Sequence, residues 1–198
     1  DGTTTFYTGN GSSGVYIYGA QVEVGSYATS YIPTQGGVVT RLADSCNNGG
    51  NEQVINSTEG VLYAEISALA NDLTTRRITL SDGTSNNRIL LQYQNSFNRF
   101  RCLLVLGGVT QFDTSTISET ITNFNKVAVK YKENDFTLWI NGVEVYSDLS
   151  GSTFTLGTLN KIAFDGGTGS NNFYGNVKDV RVYNTALTDQ ELQALTTI

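Results

Sequence analysis

Apolar and polar residues alternate in short segments along most of the chain. In the segment 125–131, for example, Val127 and Val129 alternate with Lys126, Ala128 and Lys130. A period of two is typical of strands that bury one face and expose the other. The pattern predicts strands at 38–43, 61–66, 77–81, 88–94, 100–106, 109–112, 125–131, 136–140, 143–146, 159–164 and 179–183.

Short polar turns separate these segments. Asp82–Thr84 is one such turn, and Asn141-Gly142 supplies the two positive-φ residues of a type I′ hairpin. Turns this short join antiparallel neighbours. A chain of 198 residues with 39% apolar residues can bury one good core. The sequence therefore predicts an all-β fold, an antiparallel β-sandwich of two sheets.

The pattern changes near the C-terminus. Thr188 is followed three residues later by Glu191, which is the spacing of a helix capping box. Leu187 and Leu192 have the spacing of a hydrophobic staple, and Leu195 continues the same face. A short helix is expected to begin at about Asp189.

Two motifs resemble the laminin-G-like, concanavalin-A-like jelly-roll domains of phage fibres and bacterial surface proteins. The first comprises Gly175, the strand Asp179–Asn184 and the turn Ala186–Leu192, and the second is the pair of strands that flanks Asn141-Gly142. Together they span most of residues 37–198. The resemblance implies a jelly-roll sandwich with a short C-terminal helix, but it does not identify a ligand.

Residues 1–36 differ in composition and are expected to be the terminal strands and linker of a preceding β module. Val15–Tyr18 and Val22–Val24 are predicted strands, and a boundary is expected between Pro33 and Gly37. Two strands cannot form a stable unit alone. We therefore expect them to pair with other strands, in the main domain, in a missing upstream module or in another copy of the chain, so that homo-oligomerisation is a hypothesis.

Charge and composition exclude several classes of function. The net charge of -6 argues against a nucleic-acid partner, which would need clustered cations. No apolar run approaches the roughly 18 residues of a membrane-spanning helix, so membrane insertion is not expected. The chain contains no histidine, which excludes catalytic triads that contain histidine and histidine-ligated metal ions.

The two cysteines, Cys46 and Cys102, are too few for a zinc site. A single disulfide and two separate buried thiols both remain open as interpretations.

Glycoside hydrolysis is the enzymatic alternative to be weighed. Related jelly-roll hydrolases carry three carboxylates on one strand, whereas Glu133–Asp135 supplies only two, within a polar turn. We interpret this segment as a solvated turn and expect no enzymatic activity.

Binding of carbohydrate is the remaining function. Trp139 is predicted to provide a stacking platform because it points away from Leu138 and Ile140. Polar loop residues are expected to line a rim pocket: Asn47, Asn51, Asp82, Asn86, Asn87, Asp165, Asn171 and Asn172. Asp165 is also a candidate ligand for Ca²⁺, although no EF-hand-like spacing supports a metal site and solvated turns are the alternative for every loop.

These observations predict a non-catalytic carbohydrate-binding or cell-surface-adhesion domain, a receptor-binding part of a phage tail fibre or bacterial surface protein. The expected partner is a cell-surface glycan or polysaccharide, and the expected location is extracellular or on the virion surface. A structural assembly module without a glycan ligand and a divergent glycan-cleaving enzyme are the alternatives.

Overall fold

The structure is a computed structural model that describes residues 9–23, 28–40, 49–95, 99–116 and 120–198. The chain divides into two compact units, Asp1–Ala43 and Asp44–Ile198. The assignment of 1–36 to a preceding module and of 37–198 to the jelly roll stays a prediction.

The described residues of the second unit contain ten strands and one helix. They are β1 (Glu59–Ala68), β2 (Arg76–Ser81), β3 (Arg88–Tyr93), β4 (Phe100–Leu106), β5 (Val109–Thr116), β6 (Asn125–Lys132), β7 (Phe136–Ile140), β8 (Val143–Asp148), β9 (Lys161–Ala163), β10 (Gly175–Tyr183) and α1 (Asp189–Thr196). The predicted strand 159–164 is thus shorter than expected. Among the described residues, no helix has the length and apolarity needed to cross a membrane.

The strands form two antiparallel sheets of five strands each. The first sheet has the order β10-β1-β6-β7-β8, and the second sheet has the order β5-β4-β3-β2-β9. Neighbouring strands in each sheet are antiparallel. The predicted all-β, two-sheet sandwich with a C-terminal helix is confirmed.

Alternate residues of both sheets form the core between them. Ile78 and Leu80 of β2 contribute from the second sheet, and Phe136 and Leu138 of β7 contribute from the first. Each fully buried side chain of this size stabilises the fold by about 1.5–3 kcal/mol. Cys102 lies in the same core as a free thiol, and burial raises its pKa above the usual range. Cys46 lies outside the described residues.

The helix α1 covers the outer face of the first sheet. Thr188 Oγ1 accepts a hydrogen bond from Glu191 N at 3.3 Å, and Glu191 Oε2 accepts one from Thr188 N at 2.8 Å, which confirms the predicted capping box. Leu192 is fully buried in a second apolar cluster that includes Tyr63 and Trp139. Leu187 and Leu195 pack against the same cluster. The helix therefore covers the apolar part of one of the two outer faces of the sandwich.

In the first unit, the described residues contain no strand. The strand predictions at 15–18, 22–23 and 38–40 are therefore wrong, while Val24 and residues 41–43 lie outside the described residues. Val15 is 89% exposed and Ile17 is 85% exposed. Among the described residues of this unit, none pairs with these residues as a strand, and a strand without a partner leaves its hydrogen-bonding groups to water. Ile32 N instead donates a hydrogen bond of 2.7 Å to the side-chain oxygen Oε1 of Gln21.

We expect Leu192→Ala to destabilise the second unit by about 3 kcal/mol, because it removes the buried centre of the cluster beneath α1. Trp139 is the only tryptophan of the chain, so its fluorescence reports the unfolding directly in a urea titration. Leu156 is 76% exposed, and Leu156→Ala serves as the matched control. Equal midpoints for the two variants would contradict the assigned role of Leu192.

Gly60→Ala is expected to destabilise the fold by about 1–3 kcal/mol through overpacking. A Cβ at Gly60 would meet the carbonyl oxygen of Tyr183 and would lie 2.6 Å from the Tyr131 hydroxyl, which donates to Asn56 O at 2.7 Å. Gly37→Ala is the control, since a Cβ there meets no atom within 4 Å. Thermal unfolding of both variants measures the difference, and a Gly60→Ala variant as stable as the parent chain would rule out this close approach.

Candidate functional site: the outer face of the second sheet

The outer face of the second sheet carries charged and polar side chains above an apolar floor. The register of the strands places its residues in three cross-strand rows. The first row is Arg77, Gln92, Arg101 and Ser115; the second is Thr79, Leu90, Leu103 and Asp113; the third is Ser81, Arg88, Val105 and Thr110. These residues are called the arginine face below.

Leu90 lies at the centre of the arginine face and is fully buried. Leu103 and Val105 form one small apolar cluster with it. Arg88 is two residues away on the same strand, whereas Arg77 and Arg101 lie diagonally across on the neighbouring strands. Arginine can lay its aliphatic stem along apolar surface while it holds its guanidinium in water, and this arrangement fits the burial of Leu90.

The three arginines have different partners. Arg101 forms a bidentate ion pair with Asp113, with Nε–Oδ1 and Nη2–Oδ2 distances of 2.7 Å. This hydrogen bonding raises the pKa of Arg101. Arg77 Nε donates to Gln92 Oε1 at 2.7 Å, and Arg88 Nη1 donates to the carbonyl oxygen of Gly166 at 2.9 Å. Burial lowers the pKa of Arg77 and of Arg88, and the neighbouring arginines lower both further.

The loop that contains Gly166 borders the arginine face on the side of β2. Thr79 Oγ1 donates to the carbonyl oxygen of Asp165 at 2.6 Å, which ties the loop to the sheet. The Asp165 carboxylate accepts a hydrogen bond of 2.5 Å from Gly167 N. A Cβ at Gly166 would lie 3.2 Å from Arg77 Nη1. Gly166 thus brings backbone close to the guanidinium groups of both Arg77 and Arg88.

The predicted residues Asp82, Asn86 and Asn87 lie in the turn between β2 and β3, next to Arg88. The Asp82 carboxylate accepts hydrogen bonds from Thr84 N and Asn87 Nδ2, both at 2.8 Å. Burial raises the pKa of Asp82, but these hydrogen bonds outweigh burial and lower it. Gly108 N donates to the carbonyl oxygen of Asn86 at 2.9 Å. The turn is therefore held by its own polar side chains and by the β4–β5 turn.

The other predicted loop residues are more dispersed. Asn51 Oδ1 accepts a hydrogen bond of 2.9 Å from Gln53 N, and Asn171 and Asn172 are exposed at the end of the loop that begins at Asp165. Asn47 lies outside the described residues. The structure places Asp165 and the β2–β3 turn at the arginine face, but no contact joins Asn51 to them. Binding roles for all these residues stay predictions.

No group of three or more acidic or cysteine residues is placed to hold a metal ion in the described ranges. Asp165 shares its loop with backbone carbonyls but with no second carboxylate. The candidate Ca²⁺ site at Asp165 stays a prediction.

The structure corrects the expectation for Trp139. Its indole is only 7% exposed, because α1 packs over it through Leu192. It does point away from Leu138 and Ile140, as the alternation predicted, but that face is covered by the helix. A buried ring cannot serve as a stacking platform for a sugar.

Sequence analysis did not identify the arginine face. Arg77, Arg88 and Arg101 lie on three consecutive strands, each at the polar position of an alternating pattern. The alternation did place each arginine on the outer side of its strand. Only the order and register of β2, β3 and β4 show that the three share one patch.

Several solved structures have the same fold. The carbohydrate-binding module CBM40 of the Ruminococcus gnavus IT-sialidase, bound to α2,3-sialyllactose, is 18% identical with a TM-score of 0.62 over 79% of this chain and 97% of the module. Domain 4 of an extracellular arabinanase from Geobacillus stearothermophilus, in complex with arabinotriose, is 16% identical with a TM-score of 0.59 over 75% of this chain and 70% of that chain. A pentraxin from Limulus polyphemus is 12% identical with a TM-score of 0.56, over 74% and 72% of the two chains. At these identities the likeness concerns the fold.

No curated protein matches the sequence. A laminin G family model, described as the concanavalin A-like lectin/glucanases superfamily, matches residues 63–193. This range begins in β1 and ends within α1, so that it contains the arginine face and both sheets. The motifs at Asn141-Gly142 and Asp179–Asn184, on which the resemblance was based, lie inside it. The chain belongs to the concanavalin A-like lectin/glucanases superfamily, as a laminin-G-like domain.

Proposed function

We propose that this chain is a non-catalytic carbohydrate-binding domain that holds its glycan on the arginine face. The observation that carries the proposal is a sheet face with hydrogen-bonding side chains around an apolar floor, on the side of the sandwich that α1 leaves uncovered. The modules from Ruminococcus gnavus and Geobacillus stearothermophilus, which share the fold, were solved with sialyllactose and arabinotriose. This likeness supports the proposal.

The chemistry of the face suits a sugar. Hydroxyl groups need donors and acceptors at fixed positions, and binding sites supply a few such groups on a largely apolar surface. Arg77 and Arg88 provide donors, while Ser115 is exposed at the end of the first row and both donates and accepts. Leu90 and Leu103 are buried beneath these polar groups, so they support them on rigidly paired strands and do not contact the sugar themselves. A preformed face of this kind binds with little loss of conformational entropy.

The residues of the enzymatic alternative lie elsewhere. Glu133 and Asp135 are in the turn between β6 and β7, where Glu133 is exposed. Asp135 forms an ion pair of 2.7 Å with Lys130. Retaining and inverting glycosidases need a second carboxylate that faces the first across the scissile bond. These contacts favour a structural role for the turn over a catalytic one.

A role in assembly is a second candidate, because one observation favours it. Residues 15–18 and Val22 expose large apolar side chains, from 85% at Ile17 to fully at Tyr16. Exposed apolar surface of this kind is typical of a segment that packs against a partner. We propose that it packs against another copy of the chain, so that the domain acts as part of a homo-oligomer.

We extend the proposal to location. A glycan-binding domain that assembles with its own copies suits the surface of a virion, as in a phage tail fibre, or an extracellular bacterial surface protein. Its partner there is a cell-surface glycan or polysaccharide, and its task is adhesion or receptor binding.

Ser115→Trp is expected to weaken glycan binding by at least about tenfold, because the bulky ring would lie across the first row of the arginine face. Glycans that bind are first found with a glycan array, and their affinities are then measured by isothermal titration calorimetry. Reducing-sugar release is followed in parallel, and we expect none.

Ser147→Trp is the matched control, since Ser147 is exposed on the edge strand of the other sheet and pairs with Thr137. Equal losses in the two variants would assign binding to another surface. A folded chain that binds no glycan on the array would overturn the proposed function, and sugar release would replace it with the enzymatic alternative.

Ile17→Asp is expected to reduce the mass of the chain in solution to that of a monomer, because a buried carboxylate in an apolar contact is costly. Light scattering measures the mass, and Leu156→Asp is the control for a charge placed on an exposed leucine. A parent chain that is already monomeric at micromolar concentration would refute the assembly role.

A further inference from the structure

The arginine face concentrates positive charge in an acidic protein. The chain has 18 acidic residues and 12 basic ones, yet Arg77, Arg88 and Arg101 surround a single buried leucine. Lys161 adds a fourth cation beside the third row, where it pairs with Ser81. A cluster of like charges costs free energy unless anions lie near it. Asp113 offsets the charge of Arg101 alone.

Arg76 shows how this fold neutralises a structural arginine. It is almost fully buried, and it forms an ion pair of 2.8 Å with Asp72. Its Nε and Nη1 donate to the carbonyl oxygens of Tyr174 and Thr74 at 2.7 Å and 3.1 Å. All three guanidinium nitrogens of Arg76 thus have acceptors.

Arg77 and Arg88 have no such neutralisation. In the described ranges neither forms an ion pair, and each has one hydrogen bond, to the neutral oxygens of Gln92 and Gly166. Arg88 Nε is buried without a hydrogen-bond partner. Each guanidinium therefore retains several N–H donors that no protein atom accepts. A structural role alone does not explain why two arginines that both reach Gly166 are left in this state.

The geometry brings the two free guanidinium groups to one place. Arg88 Nη1 is 2.9 Å from Gly166 O, and Arg77 Nη1 is 3.2 Å from where a Cβ of Gly166 would be. A Cβ at Gly166 would also lie 3.0 Å from the carbonyl oxygen of Ser170, so glycine is what allows Arg77 to approach the backbone here. A planar fork of N–H donors matches the oxygens of a carboxylate or sulfate, and such charge-assisted hydrogen bonds are about twice as strong as neutral ones.

We propose that Arg77 and Arg88 bind the anionic group of an acidic sugar, a carboxylate or a sulfate ester, beside Gly166. The proposal rests on the proposed function and names the class of glycan that the arginine face selects. On the β4–β5 side of the face, Arg101 is already neutralised by Asp113. The anion is therefore attracted to Arg77 and Arg88, which form no ion pair with a carboxylate in the described part of the chain.

The test measures binding of the 198-residue chain to four probes by titration calorimetry. They are an oligosaccharide with uronic acid carboxylates, a sulfated oligosaccharide, a neutral oligosaccharide and polyglutamate. We expect one of the two acidic oligosaccharides to bind at least about tenfold more tightly than the neutral one. Comparison of the uronic acid probe with the sulfated probe then identifies which anion is bound. Polyglutamate is expected to bind weakly, because it carries carboxylates without a sugar.

Arg77→Gln and Arg88→Gln are each expected to weaken binding of the acidic glycan by about tenfold to a hundredfold, since each removes charge-assisted hydrogen bonds. Binding of the neutral glycan should change little. Arg181→Gln is the matched control, because Arg181 pairs with Asp179 on β10, in the other sheet. Arg88→Lys keeps the positive charge but removes the planar pair of N–H donors. This variant should lose most of the preference for the acidic glycan over the neutral one. It provides the test if a glutamine variant does not fold.

Several outcomes would overturn this inference. Unchanged affinity for acidic glycans in the Arg77 and Arg88 variants, an equal loss in Arg181→Gln, or equal binding of polyglutamate would each contradict it. Tight binding of the neutral glycan alone, lost in Ser115→Trp, would refute the acidic ligand and leave the proposed function standing. If none of the four probes binds, the inference is refuted. If no glycan on the array binds either, the proposed function is refuted as well.

Discussion

The apolar layer between the two sheets determines where every other side chain of the second unit points. Residues such as Ile78, Leu80, Phe136 and Leu138 must face this layer, because their burial supplies most of the favourable free energy of the fold. A strand alternates sides at every residue, so their neighbours must face outward. A shift of one residue in any strand would exchange the two sets. The arginines and Trp139 lie on the outside for this reason.

The two outer faces of the sandwich differ because α1 packs on only one of them. Val61, Tyr63 and Trp139 make the outside of the first sheet apolar, and Leu192 of the capped helix packs onto them. The second sheet has no such cover from a helix. Its outer face is polar around the buried Leu90, and the three arginines at its surface are only partly buried.

The side chains of the arginine face stand on a rigid sheet, and the charges of two of its arginines are not neutralised by a carboxylate among the described residues. Its residues lie on paired strands, so their positions are set by backbone hydrogen bonds and by the core beneath them. Burial and mutual repulsion oppose the charges of Arg77 and Arg88, which lowers their pKa. Perturbed pKa values occur preferentially at binding and catalytic sites. The proposed anion site rests on the contrast between these two arginines and the fully neutralised Arg76.

The sequence by itself determined the elements that depend on local patterns. The alternation located the strands of the second unit, Asn141-Gly142 located a hairpin, and Thr188 with Glu191 located the helix start, since each signal acts over a few residues. The isolated apolar runs at 15–18 and 22–23 carried the same pattern but formed no strand, because a strand needs a partner that local sequence does not specify. Tertiary structure alone decided that the Trp139 side of its sheet is covered and that Arg77, Arg88 and Arg101 meet. The cover over Trp139 depends on the docking of α1, which is distant in sequence. The meeting of the arginines depends on the exact register of the consecutive strands β2, β3 and β4, which the alternation alone does not give.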